Sequence, residues 1–207
     1  MEKLLAWLLL LFFIPCCNRV IFKQWYAKQI APEISRARFA TSKGNFEIQI
    51  QRGWSPKGAD RLYSLIRHHY FDRVLFLRVE ANFLVEFENL DTVLNNHWNS
   101  YKVPDEPVIQ KNEKGTISFA SGSPDTRSTW VFINLNNNSP YLDTFYHTGV
   151  KGNPPVAFVT KGMNVVESLY KGYDGNTFRV PDSVWSKADA KQYFKKKFPR
   201  LDYIKKA

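Results

Sequence analysis

Cysteine is almost missing from this chain of 207 residues: there are 2, and they are neighbours, Cys16 and Cys17. Adjacent cysteines make a poor disulfide pair and nothing beyond Cys17 could partner them, so disulfide and thiol chemistry are excluded from the rest of the chain. Long apolar runs are missing too. The longest, residues 4–14, has 11 residues, far short of the about 20 that a spanning helix needs. With a mean hydropathy of −0.37, a polytopic membrane protein is excluded. Glycine and proline number only 10 and 11, which rules out collagen-like and low-complexity chains. The zinc patterns Cys-x-x-Cys and His-Glu-x-x-His are absent, and the 4 histidines, His68, His69, His97 and His147, lack metal-ligand spacing. There is no Gly-x-Ser-x-Gly elbow and no phosphate-binding glycine pattern; Ser121-Gly122-Ser123-Pro124 is turn chemistry. The sequence therefore calls for no metal and no bound cofactor.

Acidic residues are also scarce, 19 against 29 Lys and Arg, for a net charge of +10. The surplus is concentrated in residues 171–207, which hold ten Lys/Arg against four Asp/Glu. Such a tail could meet anionic lipid, acidic protein or a polyanion, although a solvated basic face is the simpler reading and nucleic acid is not the expected partner.

What the chain does have is core material, 44% hydrophobic and 15% aromatic, enough for one domain with short extensions. Residues 1–17 read as a secretory signal: Lys3, the apolar stretch 4–14, then Pro15-Cys16-Cys17. A buried core helix is the alternative, disfavoured by the terminal position. The expected location is the periplasm or cell envelope. Cys16 or Cys17 could carry a lipid anchor, though Phe13-Ile14-Pro15 fits a lipobox poorly.

Residues 18–36 are expected to form an N-terminal extension, residues 37–170 the folded domain and residues 171–207 a basic C-terminal extension. Within the domain, Phe46, Ile48 and Ile50 alternate with Glu47 and Gln49, and Ser42-Lys43-Gly44-Asn45 separates them from residues 38–41. Two alternating runs across a Gly-Asn turn predict a β-hairpin. Ser55-Pro56 then predicts a helix start, with Ala59, Leu62, Leu65 and Ile66 as its buried stripe and His68-His69 at its end. Short strands are expected over 74–79, 83–87, 116–120, 130–135 and 156–160, a short helix over 164–170 and a charged helix over 186–197. Many short strands with two helices predict a mainly β barrel plugged by helices, since closing a sheet removes its edges.

One constellation is unusual. Val74-Leu75-Phe76-Leu77-Arg78-Val79 is an apolar strand interrupted by one Arg, and Phe83-Leu84-Val85-Glu86-Phe87 repeats the theme with one Glu. A guanidinium in a half-buried strand is costly unless paired or used, or unless it points outward to solvent. These runs open an ordered series: Phe76-Leu77-Arg78-Val79, Asn82-Phe83-Leu84-x-Glu86, Gly115-Thr116-Ile117-Ser118-Phe119-Ala120, Val131-Phe132-Ile133-Asn134, Tyr141-Leu142-Asp143 and Gly162-Met163-Asn164-Val165-Val166. The series resembles the cyclophilin-type peptidyl-prolyl cis-trans isomerases, with their Phe-His-Arg-Val, Phe-Met-x-Gln-Gly-Gly-Asp, Gly-x-Leu-Ser-Met-Ala, Ser-Gln-Phe-Phe-Ile, Leu-Asp and Gly-Met-x-Val-Val segments. It covers residues 38–170, about two thirds of the chain.

The resemblance implies a closed eight-stranded antiparallel barrel capped by two helices. It also implies prolyl isomerase activity on proline-containing segments of unfolded or flexible exported proteins, without a cofactor. It carries the family's catalytic Arg onto Arg78. The proline pocket falls on Phe83, Leu84, Phe132 and Leu142, with Ala120 at its floor and Ser121, Glu86, Trp130 and Tyr141 as further substrate-binding positions. Departures accompany it. Leu77 stands where the family has His, Glu86 where it has Gln, Phe87-Glu88-Asn89 for Gly-Gly-Asp, Thr129-Trp130 for Ser-Gln, and Tyr141 for Trp. Residues 144–155 do not align, leaving His147 as a guess for the family's late His. An Arg78–Glu86 ion pair is expected to lower activity. The competing readings are a peptide-binding or scaffolding barrel without catalysis, and a polyanion-binding protein driven by the basic tail.

Overall fold

The computed structural model describes residues 21–144, 146–147 and 150–207, and over 146–147 and 150–151 the backbone alone. The expected export signal, Cys16, Cys17 and the side chain of His147 lie outside the described residues. Among those described, no helix is long and apolar enough to cross a membrane.

The hairpin is present as β1 (Ile34–Thr41) and β2 (Gly44–Gln51), paired from Ile34↔Gln51 to Thr41↔Gly44. Thr41 ties the turn, its hydroxyl accepting from the Lys43 N–H at 3.1 Å and donating to the Gly44 carbonyl at 2.8 Å. The other barrel strands are β3 (Phe76–Val79), β4 (Leu84–Phe87), β5 (Thr116–Phe119), β6 (Val131–Asn134), β7 (Pro155–Lys161) and β8 (Ile204–Lys206). They form one antiparallel sheet in the order β8-β1-β2-β7-β5-β6-β4-β3. Its two edges meet: Phe76 N–H donates to the Asp202 carbonyl at 2.9 Å and Ile204 N–H to the Val74 carbonyl at 2.8 Å. The eight-stranded barrel expected from sequence is thus observed. The strand that closes it comes from the last residues of the chain, within the segment read as an extension.

Inside the barrel, Phe39 and Phe46 stack at 4.9 Å, and Phe71, Phe76, Phe87 and Phe119 complete an aromatic core. Helix Pro56–Arg67 adds Ala59, Leu62 and Leu65, and Met163–Glu167 adds Val166. Ser55 does not cap the first helix. Its hydroxyl goes to Glu106, whose carboxylate instead accepts the helix-start N–H groups of Lys57 at 2.8 Å and Gly58 at 3.1 Å, a charged cap brought in from a distant loop. His68, at the expected end of that helix, is stacked on Tyr26 and joined to Gln29 at 2.9 Å, and burial first of all lowers its pKa. Helix Thr92–Asn99, absent from the sequence reading, is capped by Asp91 and buries Leu94 and Trp98.

Residues 171–198 fold back on the barrel as three short helical pieces, Asn176–Arg179, Asp182–Trp185 and Ala190–Lys197. Val180, Val184, Ala190, Phe194 and Phe198 form a second apolar cluster with Leu75, Leu77 and Leu90 of the barrel. Strand β3 is therefore covered on both sides, Phe76 inside and Leu77 beneath the C-terminal segment.

Candidate active site

Arg78 lies opposite Glu86 in the β3–β4 ladder, just past an irregularity in register between Phe76 and Arg78. Such a bulge re-aims a side chain. The guanidinium then meets two carboxylates: Nη1 contacts Glu86 Oε2 at 3.2 Å, while Nε and Nη2 both contact Glu80 Oε1 at 2.8 Å. Its carbon lies 5.6 Å from the Phe83 ring centre and 5.3 Å from that of Phe178, so the cation sits between two phenyl faces. The Arg78–Glu86 pair expected from sequence is present.

Burial lowers the Arg78 pKa, but the Glu80 hydrogen bond and the charges of Glu86 and Glu80 outweigh it, and the net direction is up. Glu86 is pushed up by burial, with Glu80 adding to the rise and Arg78 only partly opposing it. Arg78 keeps about a quarter of its side chain exposed, 25%, against 9% for Glu86. The cation therefore faces solvent while its partner is enclosed.

Arg78 borders a cleft of about 270 Å³ lined with Phe83, Leu84, Glu86, Ala120, Ser121, Phe132, Leu142, Gly152 and Asn153. Leu84, Phe132 and Leu142 form a buried apolar floor, and Phe83 and Ala120 pack against it. A network of buried amides supports this floor. Asn138 Nδ2 donates to the Phe83 carbonyl at 2.8 Å and to Asn134 Oδ1 at 2.7 Å. Asn112, fully buried, donates from Nδ2 to Asp143 at 2.8 Å and accepts from Ser118 at 2.9 Å and Asn134 at 3.1 Å. Asp143 thereby anchors the short helix Ser139–Leu142 that turns Leu142 inward. Each amide meets complementary donors or acceptors, so the network fixes the wall rather than burdening it.

Eight of the ten residues singled out from sequence line this one cleft: Arg78, Phe83, Leu84, Glu86, Ala120, Ser121, Phe132 and Leu142. Trp130 and Tyr141 do not. Tyr141 is 65% exposed, because neighbouring positions on a helix point in different directions and Leu142 takes the inward one. Trp130 lines the adjoining cleft, about 640 Å³, which shares Glu86, Ala120 and Ser121 with the first.

Four residues escaped the sequence reading. Glu80 was detectable two positions from Arg78, just past the end of its strand. Phe178 carried no signal, being supplied by the C-terminal segment. Gly152 and Asn153 lie within the stretch that does not align. Gly152 has φ +69, and a Cβ there would stand 2.5 Å from the Asp143 carbonyl oxygen, so the wall needs glycine at this point. Asn153 donates from its N–H to the Leu142 carbonyl at 2.8 Å and from Nδ2 to the Phe119 carbonyl at 3.1 Å.

Residues 36–187 match a family model described as cyclophilin type peptidyl-prolyl cis-trans isomerase/CLD. A peptidyl-prolyl cis-trans isomerase of Acinetobacter baylyi is 25% identical over 131 residues, 62% of this chain and 68% of that protein. One of Arabidopsis thaliana is 30% identical over 152 residues, 72% and 86% of the two chains. Among solved structures, a cyclophilin type isomerase of Cryptosporidium parvum superposes with a TM-score of 0.54 at 14% identity, over 84% of this chain and 95% of that one. The same protein crystallised in the presence of the dipeptide Ala-Pro gives 0.51 at 14% identity, over 66% and 87%.

Proposed function

This chain belongs to the cyclophilin-type peptidyl-prolyl cis-trans isomerases, and we propose that Arg78 is its catalytic group, stabilising the twisted prolyl amide over an apolar floor. An X-Pro bond rotates over a barrier of about 20 kcal/mol because its C–N bond is partly double. Lowering that barrier by about 4 kcal/mol accelerates exchange about a thousandfold. No nucleophile is consumed. The twisted amide nitrogen becomes pyramidal and can accept a hydrogen bond, which the planar amide does not offer, so a donor aimed there binds the transition state selectively. Arg suits this role because it stays charged and presents its donors in a rigid fork. Glu80 and Glu86 engage one N–H on each terminal nitrogen, and each of those nitrogens carries a second.

One observation carries the reading: Arg78 and the floor of Leu84, Phe132 and Leu142 border a single cleft, of the kind that could hold a proline ring. Substrate is then a proline-containing segment of an unfolded or flexible chain, a reading in keeping with the crystallisation of the Cryptosporidium protein in the presence of the dipeptide Ala-Pro. The decisive measurement is exchange NMR on an Ala-Pro peptide. Arg78→Ala should lose about 10²–10³ in turnover, the usual cost of one transition-state donor. Equal rates for variant and parent would remove Arg78 from the chemistry.

For the place of action we propose the cell envelope, a reading supported by the apolar pattern of residues 4–14. Residues 1–17 as an export signal, with Cys16 or Cys17 as an optional lipid anchor, make the clients proteins of the envelope. Fractionation and mass measurement of the mature N-terminus test this; a cytosolic protein that retains Met1 or Glu2 would overturn it.

A second reading keeps peptide binding without catalysis, favoured by the two carboxylates on Arg78. Peptide shifts without faster exchange in the same spectra would select it.

A further inference from the structure

The cleft beside Arg78 continues beyond Glu86. The middle cleft shares Glu88, Trp130 and Phe178 with a third, of about 340 Å³, where Asp182 and Trp185 also stand. Three rings face one another there: Trp130 to Phe178 at 5.4 Å, Trp130 to Trp185 at 5.6 Å and Phe178 to Trp185 at 5.8 Å, tilted by 43° to 58°. The charged groups lining this end pocket are Glu88 and Asp182, with no Lys or Arg among them. On a chain of net charge +10, that is a local inversion of sign.

The pocket is assembled from both parts of the fold. The barrel contributes Glu88 and Trp130; the C-terminal segment contributes Phe178, Asp182 and Trp185. That segment is held by the Thr177 hydroxyl on the Leu77 carbonyl, by Trp185 Nε1 on the Val180 carbonyl at 3.2 Å, and by Trp185 against Phe194 at 4.6 Å. The indole N–H of Trp185 is thus engaged within its own segment. Glu88 accepts from the Thr129 hydroxyl at 2.5 Å through Oε1. Phe178 already holds one cation, Arg78, near its ring at 5.3 Å.

From this arrangement we infer that the end pocket takes the side chain of a Lys or Arg in the bound peptide, making this isomerase selective for prolyl bonds in basic segments. Aromatic faces attract an organic cation, and carboxylates receive its N–H groups in charge-assisted hydrogen bonds. Lys102, which lines the middle cleft, stands outside the end pocket. The path from the Arg78 guanidinium through Phe178 to Trp185 takes steps of 5.3 and 5.8 Å, at most about three residues of extended chain. The inference rests on the reading of the Arg78 cleft as the prolyl site.

The test is a peptide scan by exchange NMR at pH 8, above the raised Glu88 value of about 7, with one Lys placed two or three positions to either side of an Ala-Pro bond and norleucine or Glu as replacements. At one position Lys should exceed norleucine in kcat/KM by about tenfold, with Glu the poorest. In a protein carrying Glu88→Gln and Asp182→Asn, the Lys to norleucine ratio should fall toward one. Either exchange alone should lower the ratio, which preserves the test if the double variant does not fold. A ratio near one at every position, or one that the variants leave unchanged, overturns the inference while the isomerase reading stands. If no peptide is accelerated, the isomerase reading fails, and the Trp185 indole resonance still decides the pocket. A saturable shift with the Lys peptide and none with norleucine supports it; no shift with either overturns it.

Discussion

Glu86 reaches Arg78 directly across the β3–β4 ladder, Oε2 to Nη1 at 3.2 Å, and is itself almost enclosed. Burial raises its pKa, and the charge and hydrogen bond of Arg78 oppose that rise only in part. The Glu86 charge draws donor strength away from a substrate amide. Glu86→Gln keeps the shape, removes the charge and leaves Glu80 to orient the guanidinium. Turnover of an Ala-Pro peptide should rise several-fold in exchange NMR. An unchanged or lower rate would mean that Glu86 helps position the arginine more than it weakens it.

The resemblance sets Leu77 where the family carries a histidine, and the packing around this position suits a leucine. It is 1% exposed and belongs to the cluster with Val180, Val184, Phe194 and Phe198. An imidazole there would be buried among hydrocarbon without a partner. Leu77→His should therefore cost about 2–4 kcal/mol, read as an earlier midpoint in urea unfolding, with no gain in exchange rate. A stable and faster variant would show instead that the C-terminal segment tolerates a polar face.

Much of this was readable in the chain because the barrel depends on local patterns. Phe46, Ile48 and Ile50 alternate, and Pro56 opens a helix; each signal sits within a few residues of its consequence. Eight cleft residues were readable for a different reason: they occur in family order on strands whose pairing the barrel fixes. What escaped was set by long-range packing. Nothing near Phe178 announces that it will cover Arg78, and nothing near Ile204 announces the strand that closes the barrel. Tyr141 stands outside the cleft lining while Leu142 enters it, because sequence order cannot say which of two neighbours on a short helix turns inward.

Arg127 is 1% exposed and holds several parts of the fold together. Nη2 reaches Glu106 at 2.9 Å and the Pro104 carbonyl, and Nη1 reaches Ser55 at 3.3 Å. Glu106 in turn caps the first helix. Burial would raise its pKa, but the hydrogen bonds from Ser55, Lys57, Arg127 and Gly58 outweigh it and the net direction is down. The stability it contributes is present above the ordinary carboxylate range and lost as pH falls through its lowered value. Arg127→Met leaves the Glu106 charge without its cation and should cost about 3–5 kcal/mol at neutral pH, with the deficit shrinking in acid. A deficit independent of pH would assign the loss to packing alone.

Glu88 titrates in the opposite sense. Burial is the leading cause that raises its pKa to about 7, against the Thr129 hydrogen bond and the more distant Lys102 charge, which lower it. Tyr70, fully enclosed, lies close enough for its own pKa to be pushed up first by burial and then by the Glu88 charge. In the unfolded chain Glu88 returns to 4.5, so between that value and about 7 the folded protein binds the extra proton. Its contribution to stability is therefore greatest in acid and declines as pH rises through this window. Glu88→Gln stays neutral throughout. Relative to the parent it should gain about 2–3 kcal/mol on going from pH 5 to pH 8, a relative rise in melting temperature of about 4–12 °C for a chain of this size. Calorimetry of both proteins at the two pH values measures that difference. A constant offset would mean that Glu88 ionises as freely in the fold as in water and that the groove is wetter than its walls suggest.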